Sequence, residues 1–361
     1  MTEPAGRSRP RARRASFFAT CVPGLSRMLR RELTESAGIE CTGTGFDGRA
    51  DMVFFEADRD GRAAALASRL AEDVFAETGR ASRTAAGSPA AIAATAWPAS
   101  GVQRALSVWA DEVRPLSGSM SFRVITRVLA ENRFLRTELR QAMTSAIGRD
   151  KPRWRTADPA QLEVWISEWH DGQYVAGLRL SRAQLRQHGG RSAERPGALR
   201  PTVAAAMVSL AGPPGRSGQP GGVLLDPCCG SGTVLAEALA AGWAGLGTDI
   251  DPGAVAAAAA NAPAASVELG DARDLLLADD SIGACVSNLP FGRQFPVPGD
   301  QDDWIAAVLS EMSRVTRGGG TVVVLTPHLP RAVIPGPLRL RKQVPVRLLG
   351  AAASIWAFRR A

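Results

Sequence analysis

The sequence is poor in the residues that build metal centres and disulfide frameworks. It contains five cysteines and three histidines in 361 residues, with no Cys-x-x-Cys pair and no clustering of cysteine with histidine. Such an odd, sparse set of cysteines argues against a zinc site and for a reducing compartment. The histidines show no Ser-His-Asp arrangement. We therefore expect a cytoplasmic protein that binds no metal.

Long apolar runs are absent as well. No run approaches the ~20 residues that a membrane-spanning helix needs, so no membrane association is expected. Residues 1–15 are rich in arginine and proline and lack an apolar core, which excludes a secretory signal. We predict that residues 1–15 form a disordered basic tail.

Positive charge is in excess and is concentrated in two segments. The net charge is +8, and residues 1–15 hold five arginines against one glutamate, while residues 179–200 hold six against one. The rest of the chain, taken together, is close to neutral. Two concentrated basic segments favour a polyanionic partner. A solvated tail and a solvated linker are the alternative.

The first half of the chain predicts two small α/β modules. Residues 16–80 have the order strand, helix, strand, strand, helix, strand, which is typical of a ferredoxin-like domain. A second α/β unit is predicted over residues 81–182. Residues 183–200, with three glycines and one proline, form a basic linker.

The second half, residues 201–361, shows the regular alternation of an α/β fold. A helix over 201–211 precedes five strands that alternate with three helices, and a hairpin ends the sequence. The last of the three helices, over 303–316, is expected to stop at the glycines 318–320. The pattern predicts a seven-stranded sheet whose last strand is antiparallel.

One turn in this domain carries the first functional signal. Residues 223–225 predict a strand, and a tight turn from Asp226 to Gly232 leads into a helix that opens at Thr233. Its two glycines let the backbone approach a ligand, and the helix directs unpaired N–H groups at the turn. No lysine follows the second glycine, which excludes a phosphate-binding loop. Leu235 replaces the third glycine of a dinucleotide motif.

Acidic residues at three successive strand ends fit S-adenosylmethionine. Asp226 can meet the ammonium group of this ligand and would repel a pyrophosphate. Asp249 can accept both hydroxyls of a ribose, because Asp251 already suits the N-cap of the next helix. Asp271 can accept the adenine amino group. Each of the three has a structural alternative as a capping residue, Asp271 for a helix over 273–277.

The end of the fourth strand supplies residues for chemistry on an aromatic amine. Such an amine is a poor nucleophile because its lone pair is delocalised into the ring. The side-chain oxygen of Asn288 and a backbone carbonyl at Leu289 or Pro290 can each accept one N–H, and Phe291 can stack on the base. Alignment with a methyl donor then supplies most of the rate, without a histidine base.

Together these residues resemble a known family. Residues 201–361 are similar to Rossmann-fold, S-adenosylmethionine-dependent methyltransferases that act on amino groups. The first half resembles the ferredoxin-like and THUMP modules of THUMP-domain RNA methyltransferases. The matching stretches are residues 17–20, 23–25 and 70–75 for the first module and 121–124, 135–140 and 177–181 for the second. Residues 196–202 resemble the segment that leads into the catalytic domain beside the donor.

The resemblance implies methylation of the 2-amino group of a guanine in the acceptor stem of tRNA, with S-adenosylmethionine as donor. Asn288, Pro290 and Phe291 would hold and activate the base. Donor-binding residues are predicted to be Asp226, Cys228, Gly230, Ser231, Gly232, Thr233, Asp249, Ile250, Asp271, Ala272 and Asn288. RNA contacts are predicted at Arg182, Arg186, Arg191 and Arg200, with a solvated linker as the alternative.

The sequence departs from the family in its catalytic motif. Leu289 replaces the first proline of the commonest Asn-Pro-Pro-Tyr form, and Phe291 replaces its tyrosine. Leucine still offers its carbonyl and phenylalanine still stacks, so we expect activity. An rRNA guanine N2-methyltransferase and an RNA-binding THUMP protein that has lost catalysis are the alternatives. A DNA adenine methyltransferase would share the motif but would have no use for THUMP. No protein partner is indicated.

Overall fold

The computed structural model describes two compact units. The described residues are 14–82, 87–129, 134–181, 185, 187–188, 192–193, 195–215, 222–291, 297, 299–348 and 350–361. The first unit contains the described residues up to 21 and from 29 to 181, and the second contains residues 22–28 and those from 185 onwards. Of the predicted tail, only Arg14 and Ala15 are described. Arg14 pairs with Glu40, and Ala15 opens the first strand.

The first unit begins with a ferredoxin-like order of elements. The elements are β1 (Ala15–Cys21), α1 (Ser26–Glu35), β2 (Ile39–Phe46), β3 (Asp51–Ala57), α2 (Arg59–Leu66) and β4 (Asp73–Ser82). Their strands lie in the order β2-β3-β1-β4, and neighbours are antiparallel. Helix α2 begins earlier than the apolar pattern indicates, because the Asp58 side chain caps it by accepting the amide of Gly61 at 3.0 Å.

The remaining elements of the first unit extend the same sheet. They are α3 (Pro89–Ala96), α4 (Ala99–Glu112), β5 (Ser121–Arg127), α5 (Arg136–Asp150), β6 (Arg155–Thr156), β7 (Leu162–His170) and β8 (Gln173–Arg179). Strand β8 pairs with β4, so both predicted modules share one eight-stranded sheet, β2-β3-β1-β4-β8-β7-β5-β6. Arg179 on β8 binds Asp73 on β4 at 2.7 Å across this junction.

The second unit has the predicted seven-stranded sheet. Its elements are α6 (Pro201–Ala211), β9 (Val223–Asp226), α7 (Thr233–Ala240), β10 (Ala244–Asp249), α8 (Pro252–Asn261), β11 (Ser266–Leu269), β12 (Ile282–Asn288), α9 (Gln301–Val315), β13 (Thr316–Thr326), β14 (Leu338–Leu348) and β15 (Ala351–Arg360). The order is β11-β10-β9-β12-β13-β15-β14. In the described sheet, β15 is the one strand that runs in the opposite direction to the other six.

This topology fixes where a ligand can bind. The chain moves from β9 outwards to β11, then returns to place β12 on the other side of β9. The carboxyl ends of these parallel strands meet at one edge, and the order reverses between β9 and β12. Helix α9 supports this edge by packing Val308, Leu309 and Met312 into the core.

One sequence-based boundary is wrong. Glycines 318–320 were expected to end helix α9, but the helix ends at Val315 and β13 begins at Thr316. The glycines lie inside β13, at the irregularity where its pairing with β12 shifts between Thr316 and Thr321. A strand interrupted in this way tolerates glycine because it bulges. In the described part of the chain, no helix is both long and apolar enough to cross a membrane.

Candidate active site

A cavity of about 690 Å³ lies at the topological switch of the second unit. Asp226, Asp249 and Asn288, which end β9, β10 and β12, contribute to its wall together with the loop after β11. Every lining residue belongs to this unit. Its size lies in the range of small-molecule and cofactor sites.

The cavity brings together almost all of the predicted donor and base residues. Those that line it are Asp226, Cys228, Gly230, Ser231, Thr233, Asp249, Ile250, Asp271, Ala272, Asn288, Pro290 and Phe291. The exception is Gly232, which packs against α8. A Cβ at Gly232 would lie 2.9 Å from the Cα of Ala258, and its φ of +76° also requires glycine. Gly230, with φ of +53°, faces open space instead.

Asp226 is a buried carboxyl group at the floor of the site. It is 2% exposed and accepts hydrogen bonds from the Ser287 hydroxyl at 2.6 Å and the Cys228 amide at 3.2 Å. The pKa of Asp226 is raised to about 7, mainly by burial and to a lesser extent by the charge of the nearby Asp249. The two hydrogen bonds act in the opposite direction. The ammonium group of a bound ligand would offset the cost of burying the charged form of Asp226. Sequence reasoning missed Ser287, although it directly precedes Asn288.

Asp249 organises the loops around the cavity. One carboxylate oxygen accepts the amide of Gly230 at 2.8 Å, and the other accepts the amide of Asp251 at 3.0 Å. Asp251 caps α8 through the amide of Gly253, as predicted. Because a carboxylate can accept about four hydrogen bonds, Asp249 keeps acceptor capacity for ribose hydroxyls. Asp249 therefore holds the glycine turn and can still bind a ligand.

Asp271 is held by its own turn. Its carboxylate binds the Arg273 guanidinium at 2.6 Å and accepts the Arg273 amide at 2.9 Å. The Arg273 side chain, the largest influence, lowers the pKa of Asp271. The alternative that Asp271 caps a helix over 273–277 is wrong, because these residues form turns and an isolated bridge from Asp271 to Asp274.

The two cysteines of the turn are not candidate nucleophiles. Burial, followed by the charges of Asp226 and Asp249, raises the pKa of both Cys228 and Cys229. A thiol kept neutral in this way is inert, because the thiolate is the nucleophilic form. The site therefore offers no thiolate chemistry through these residues.

Asn288 carries the most informative atom of the site. Its side-chain oxygen is buried and has no hydrogen-bond partner among the described residues. A buried acceptor without a donor costs about 1–3 kcal/mol, so it calls for a functional explanation. Asn288 lines the cavity at the end of β12, where this oxygen can accept an N–H from a bound base.

The next two carbonyls of the motif differ. The Pro290 carbonyl accepts the side-chain amide of Gln301, the first residue of α9, at 3.1 Å. The Leu289 amide donates to the Leu325 carbonyl at 3.2 Å, which extends the β12–β13 pairing. The next donor in this parallel ladder would be the amide of residue 327, but Pro327 has no N–H. The geometry thus leaves the Leu289 carbonyl to a substrate.

Residues that sequence reasoning did not assign complete the wall. Trp304 of α9 packs in the core of the second unit and also lines the cavity. Leu348 and Ala351 contribute from the β14–β15 hairpin. These residues are far apart in sequence and carry no motif, so only the fold brings them together.

The segment before α6 forms another side of the cavity. Residues 195–200 line it, in agreement with the resemblance noted for residues 196–202. Arg195 forms an ion pair with Asp251, and the predicted RNA ligand Arg200 is exposed at the N-cap of α6. The other predicted RNA ligands, Arg182, Arg186 and Arg191, lie outside the described residues.

The residues present fit S-adenosylmethionine. A buried carboxyl, a backbone turn with two glycines at positive φ and a second carboxylate follow one another along the cavity. Ile250 offers an apolar surface that is 69% exposed, suited to an adenine ring. Asn288 lies at the end where a methyl group would be transferred. Among the described side chains, no three His, Cys, Asp or Glu groups are placed to share a metal ion.

Comparisons with known proteins find methyltransferases that are similar to this chain. Residues 188–333 match the UPF0020 family, the RMKL-like methyltransferase domain. The chain is 34% identical over 176 residues to the human U6 snRNA (guanine-N(2))-methyltransferase THUMPD2, covering 46% of this chain and 32% of that protein. It is 30% identical over 200 residues to the Bos taurus tRNA (guanine(6)-N(2))-methyltransferase THUMP3, covering 48% and 37%. It thus spans about a third of these relatives' length.

A solved structure shows the same fold over nearly the whole chain. TrmN from Thermus thermophilus superposes with a TM-score of 0.73 at 22% identity, covering 96% of this chain and 99% of that one. The chain is therefore similar in sequence to guanine-N2 RNA methyltransferases, its residues 188–333 match the RMKL-like methyltransferase domain, and it shares the fold of TrmN.

Proposed function

We propose that the protein transfers a methyl group from S-adenosylmethionine to the exocyclic 2-amino group of a guanine in RNA. The observation that carries this proposal is the buried side-chain oxygen of Asn288, which has no partner among the described residues, followed by the Leu289 carbonyl, whose next ladder position is the N–H-less Pro327. Two acceptors at adjacent residues suit the two N–H groups of an aromatic amine. The other described residues that line the cavity do not by themselves call for an aromatic amine as the substrate.

The catalytic residues act by orienting the amine. With its two N–H groups held by Asn288 and Leu289, the nitrogen becomes pyramidal and its lone pair turns out of the ring plane. Phe291, partly buried at the cavity wall, stacks on the base and fixes its plane. Gln301 donates to the Pro290 carbonyl and so holds the peptide group between Pro290 and the stacking residue Phe291. Alignment of this kind can supply about 7–11 kcal/mol of a barrier.

The donor residues place the electrophile. S-adenosylmethionine, when bound, supplies a sulfonium methyl group that any well-placed amine can attack. Asp226 would bind its ammonium group, Asp249 its ribose hydroxyls and Asp271 its adenine amino group. The first two carboxylates are anchored by hydrogen bonds from the glycine turn and its neighbours, so little ordering is needed on binding.

We further propose that the RNA is a tRNA methylated in the acceptor stem. The resemblance of residues 121–181 to THUMP and the tRNA guanine specificity named for the Bos taurus relative support this substrate. We also propose a cytoplasmic location. The proposed RNA substrate and the cysteines, which are free among the described residues, support it. In this proposal the ferredoxin-like module at 16–80 and the THUMP module at 81–182 are joined by the linker at 183–200 to the methyltransferase domain at 201–361.

Methyl transfer from labelled S-adenosylmethionine to total tRNA and to rRNA, followed by nucleoside analysis, tests the proposal. We expect label in N2-methylguanosine from tRNA. Label confined to rRNA would keep the reaction and replace the substrate. Label in neither RNA, with the donor still bound, would contradict the proposed enzyme and favour an RNA-binding protein.

The variant Asn288→Ala tests the role of the unpartnered oxygen. We expect methyl transfer to fall by about 10²-fold or more, the loss typical of a transition-state hydrogen bond, while donor affinity stays within several-fold. Gln103→Ala, which removes an exposed amide from α4, is the matched control and should be fully active. Equal loss of donor binding and turnover in Asn288→Ala would show that the residue is structural.

A further inference from the structure

The C-terminal part of the second unit is strongly one-signed in charge. Residues 316–361 contain eight basic residues and no acidic one, so their net charge equals the +8 of the whole chain. Four of the eight lie on β14, at Arg339, Arg341, Lys342 and Arg347, and all four are exposed. The sequence-based charge count missed this segment because it is spread between apolar residues.

The fold turns these residues into a row along one edge. Strand β14 is the last strand of the sheet, so one of its sides has no neighbouring strand in the described structure. From Arg339 to Arg347 the row spans about 26 Å at ~3.3 Å per residue. Across the hairpin, Arg339 lies opposite Arg359, which is also exposed. Like charges directly opposite one another destabilise a hairpin.

No carboxylate of the described residues neutralises the row. Arg339 donates to the carbonyl of Gly336, which is uncharged, and none of the five basic side chains forms an ion pair there. By contrast, Arg360 on the same hairpin pairs with Asp280, and Arg314 pairs with Glu311. Five exposed cations on two neighbouring strands, none paired with a carboxylate of the described residues, favour a polyanionic partner.

The row also leads to the active site. Strand β14 ends at Leu348, which lines the cavity, and Arg347 directly precedes it. We propose that the exposed row of Arg339, Arg341, Lys342 and Arg347 on β14, with Arg359, binds the phosphate backbone of the substrate RNA and directs its target base to the cavity. This inference rests on the proposed function for the identity of the RNA. Phosphates are the polyanion that such a row fits best.

Edge protection is the competing explanation for these charges. Exposed edge strands commonly carry charged residues and proline, which prevent pairing with other chains, and β14 also contains Pro345. Charged residues of either sign can protect an edge strand in this way. RNA binding requires positive charge, so inversion of the charge separates the two explanations.

The test measures binding of the full chain to total tRNA over a range of salt concentrations. For the triple variant Arg339→Glu, Arg341→Glu and Lys342→Glu, we expect affinity to fall about tenfold or more and the slope of log affinity against log salt to fall by about three. Arg339→Lys with Arg341→Lys should retain the wild-type slope, because the charge is kept. Donor binding and thermal unfolding confirm that each variant is folded.

The matched control inverts three exposed arginines of the ferredoxin-like module, Arg30, Arg49 and Arg59, which lie outside the THUMP-like residues. Unchanged RNA affinity in the β14 variant, or an equal loss in this control, overturns the inference. Methyl transfer is measured separately, so the two proposals can fail independently. RNA binding that depends on β14 without any methyl transfer would remove only the proposed reaction. Methyl transfer by a β14 variant with unchanged RNA affinity would remove only the proposed surface.

Discussion

At the scale of single residues, Asp226 connects burial to ligand binding. Its carboxyl group has a pKa of about 7, because burial disfavours the charged form. The folded protein therefore binds a proton that the unfolded chain releases near pH 4. Stability contributed by this proton is present below pH 4 and is lost as the pH rises towards 7. The free protein gives up stability at neutral pH to keep this carboxylate buried.

The same pKa predicts a pH dependence of donor binding. An ionised Asp226 is needed to bind an ammonium group, so the affinity for S-adenosylmethionine should fall about tenfold for each pH unit below 7. Asp226→Asn, which keeps the bond from Ser287, should bind weakly and without this dependence. Calorimetric titration at pH 5.0, 6.0 and 7.0 makes the measurement, since the ligand amine, with a pKa of about 7.7–8.0, stays largely protonated there. A wild-type affinity that does not change over this range would contradict the assignment.

Much of the site could be predicted at this scale, and the reason is positional. Asp226, Asp249 and Asn288 end parallel strands in order, and the fold requires strand ends to meet. What the sequence could not show is how each group is partnered. The bond from Ser287 to Asp226 joins residues 61 positions apart, and no local pattern encodes it.

At the scale of elements, the pairing of β12 with β13 sets up the acceptor of the amine. The strands stay in register up to Asn288 and Leu325, and the pairing then loses its next donor at Pro327. The sequence showed the motif at 288–291, but it left open whether Leu289 or Pro290 supplies the carbonyl. Strand register favours Leu289 in the proposed mechanism, and register depends on contacts between segments that are distant in the chain.

Restoring the missing donor tests this account. Pro327→Ala would place an N–H opposite the Leu289 carbonyl and close the ladder. We expect single-turnover methyl transfer to fall about tenfold, which corresponds to competition worth ~1.4 kcal/mol, with unchanged donor affinity. Pro330→Ala, in the same loop but beyond the ladder, serves as control. Wild-type turnover in Pro327→Ala would show that the Leu289 carbonyl has no part in the reaction.

Element boundaries were predicted less well than element types. Helix α2 begins at Arg59 because of the Asp58 cap, four residues before the run of alanines and leucine at 63–66 that the apolar pattern marks as helical. Strand β13 begins at Thr316 in spite of three glycines, because Thr316 pairs with Ile282 of β12, and regular pairing with β12 and β15 continues from Thr321. In both cases a specific side-chain or backbone partner prevails over local propensity.

At the scale of the whole molecule, the second unit is not continuous in sequence. Residues 22–28 belong to it, although the chain on both sides of them belongs to the first unit. The Pro23 carbonyl accepts the amide of Arg347 on β14 at 3.1 Å. A sequence divided into consecutive domains does not contain such a segment. The predicted domain at 16–80 includes residues 22–28, although they pack with the second unit. The predicted domain at 201–361 lacks them.

Gly24 provides a test of this arrangement. It has φ of +101°, and a Cβ there would lie 1.9 Å from the carbonyl oxygen of Pro345. Gly87 also has positive φ, at +72°, but faces nothing within 4 Å. We expect Gly87→Ala to cost about 1 kcal/mol in the free energy of unfolding, from backbone strain alone.

Gly24→Ala should lose at least about 2 kcal/mol more than this control, because the clash involves backbone on both sides and neither can move aside. Urea unfolding of both variants, followed by tryptophan fluorescence, makes the comparison. Trp304 and Trp356 lie in the core of the second unit, so the excess loss should appear in this signal. Equal losses in the two variants would mean that residues 22–28 do not pack on β14 in solution. In that case the catalytic unit would be complete from the linker onwards.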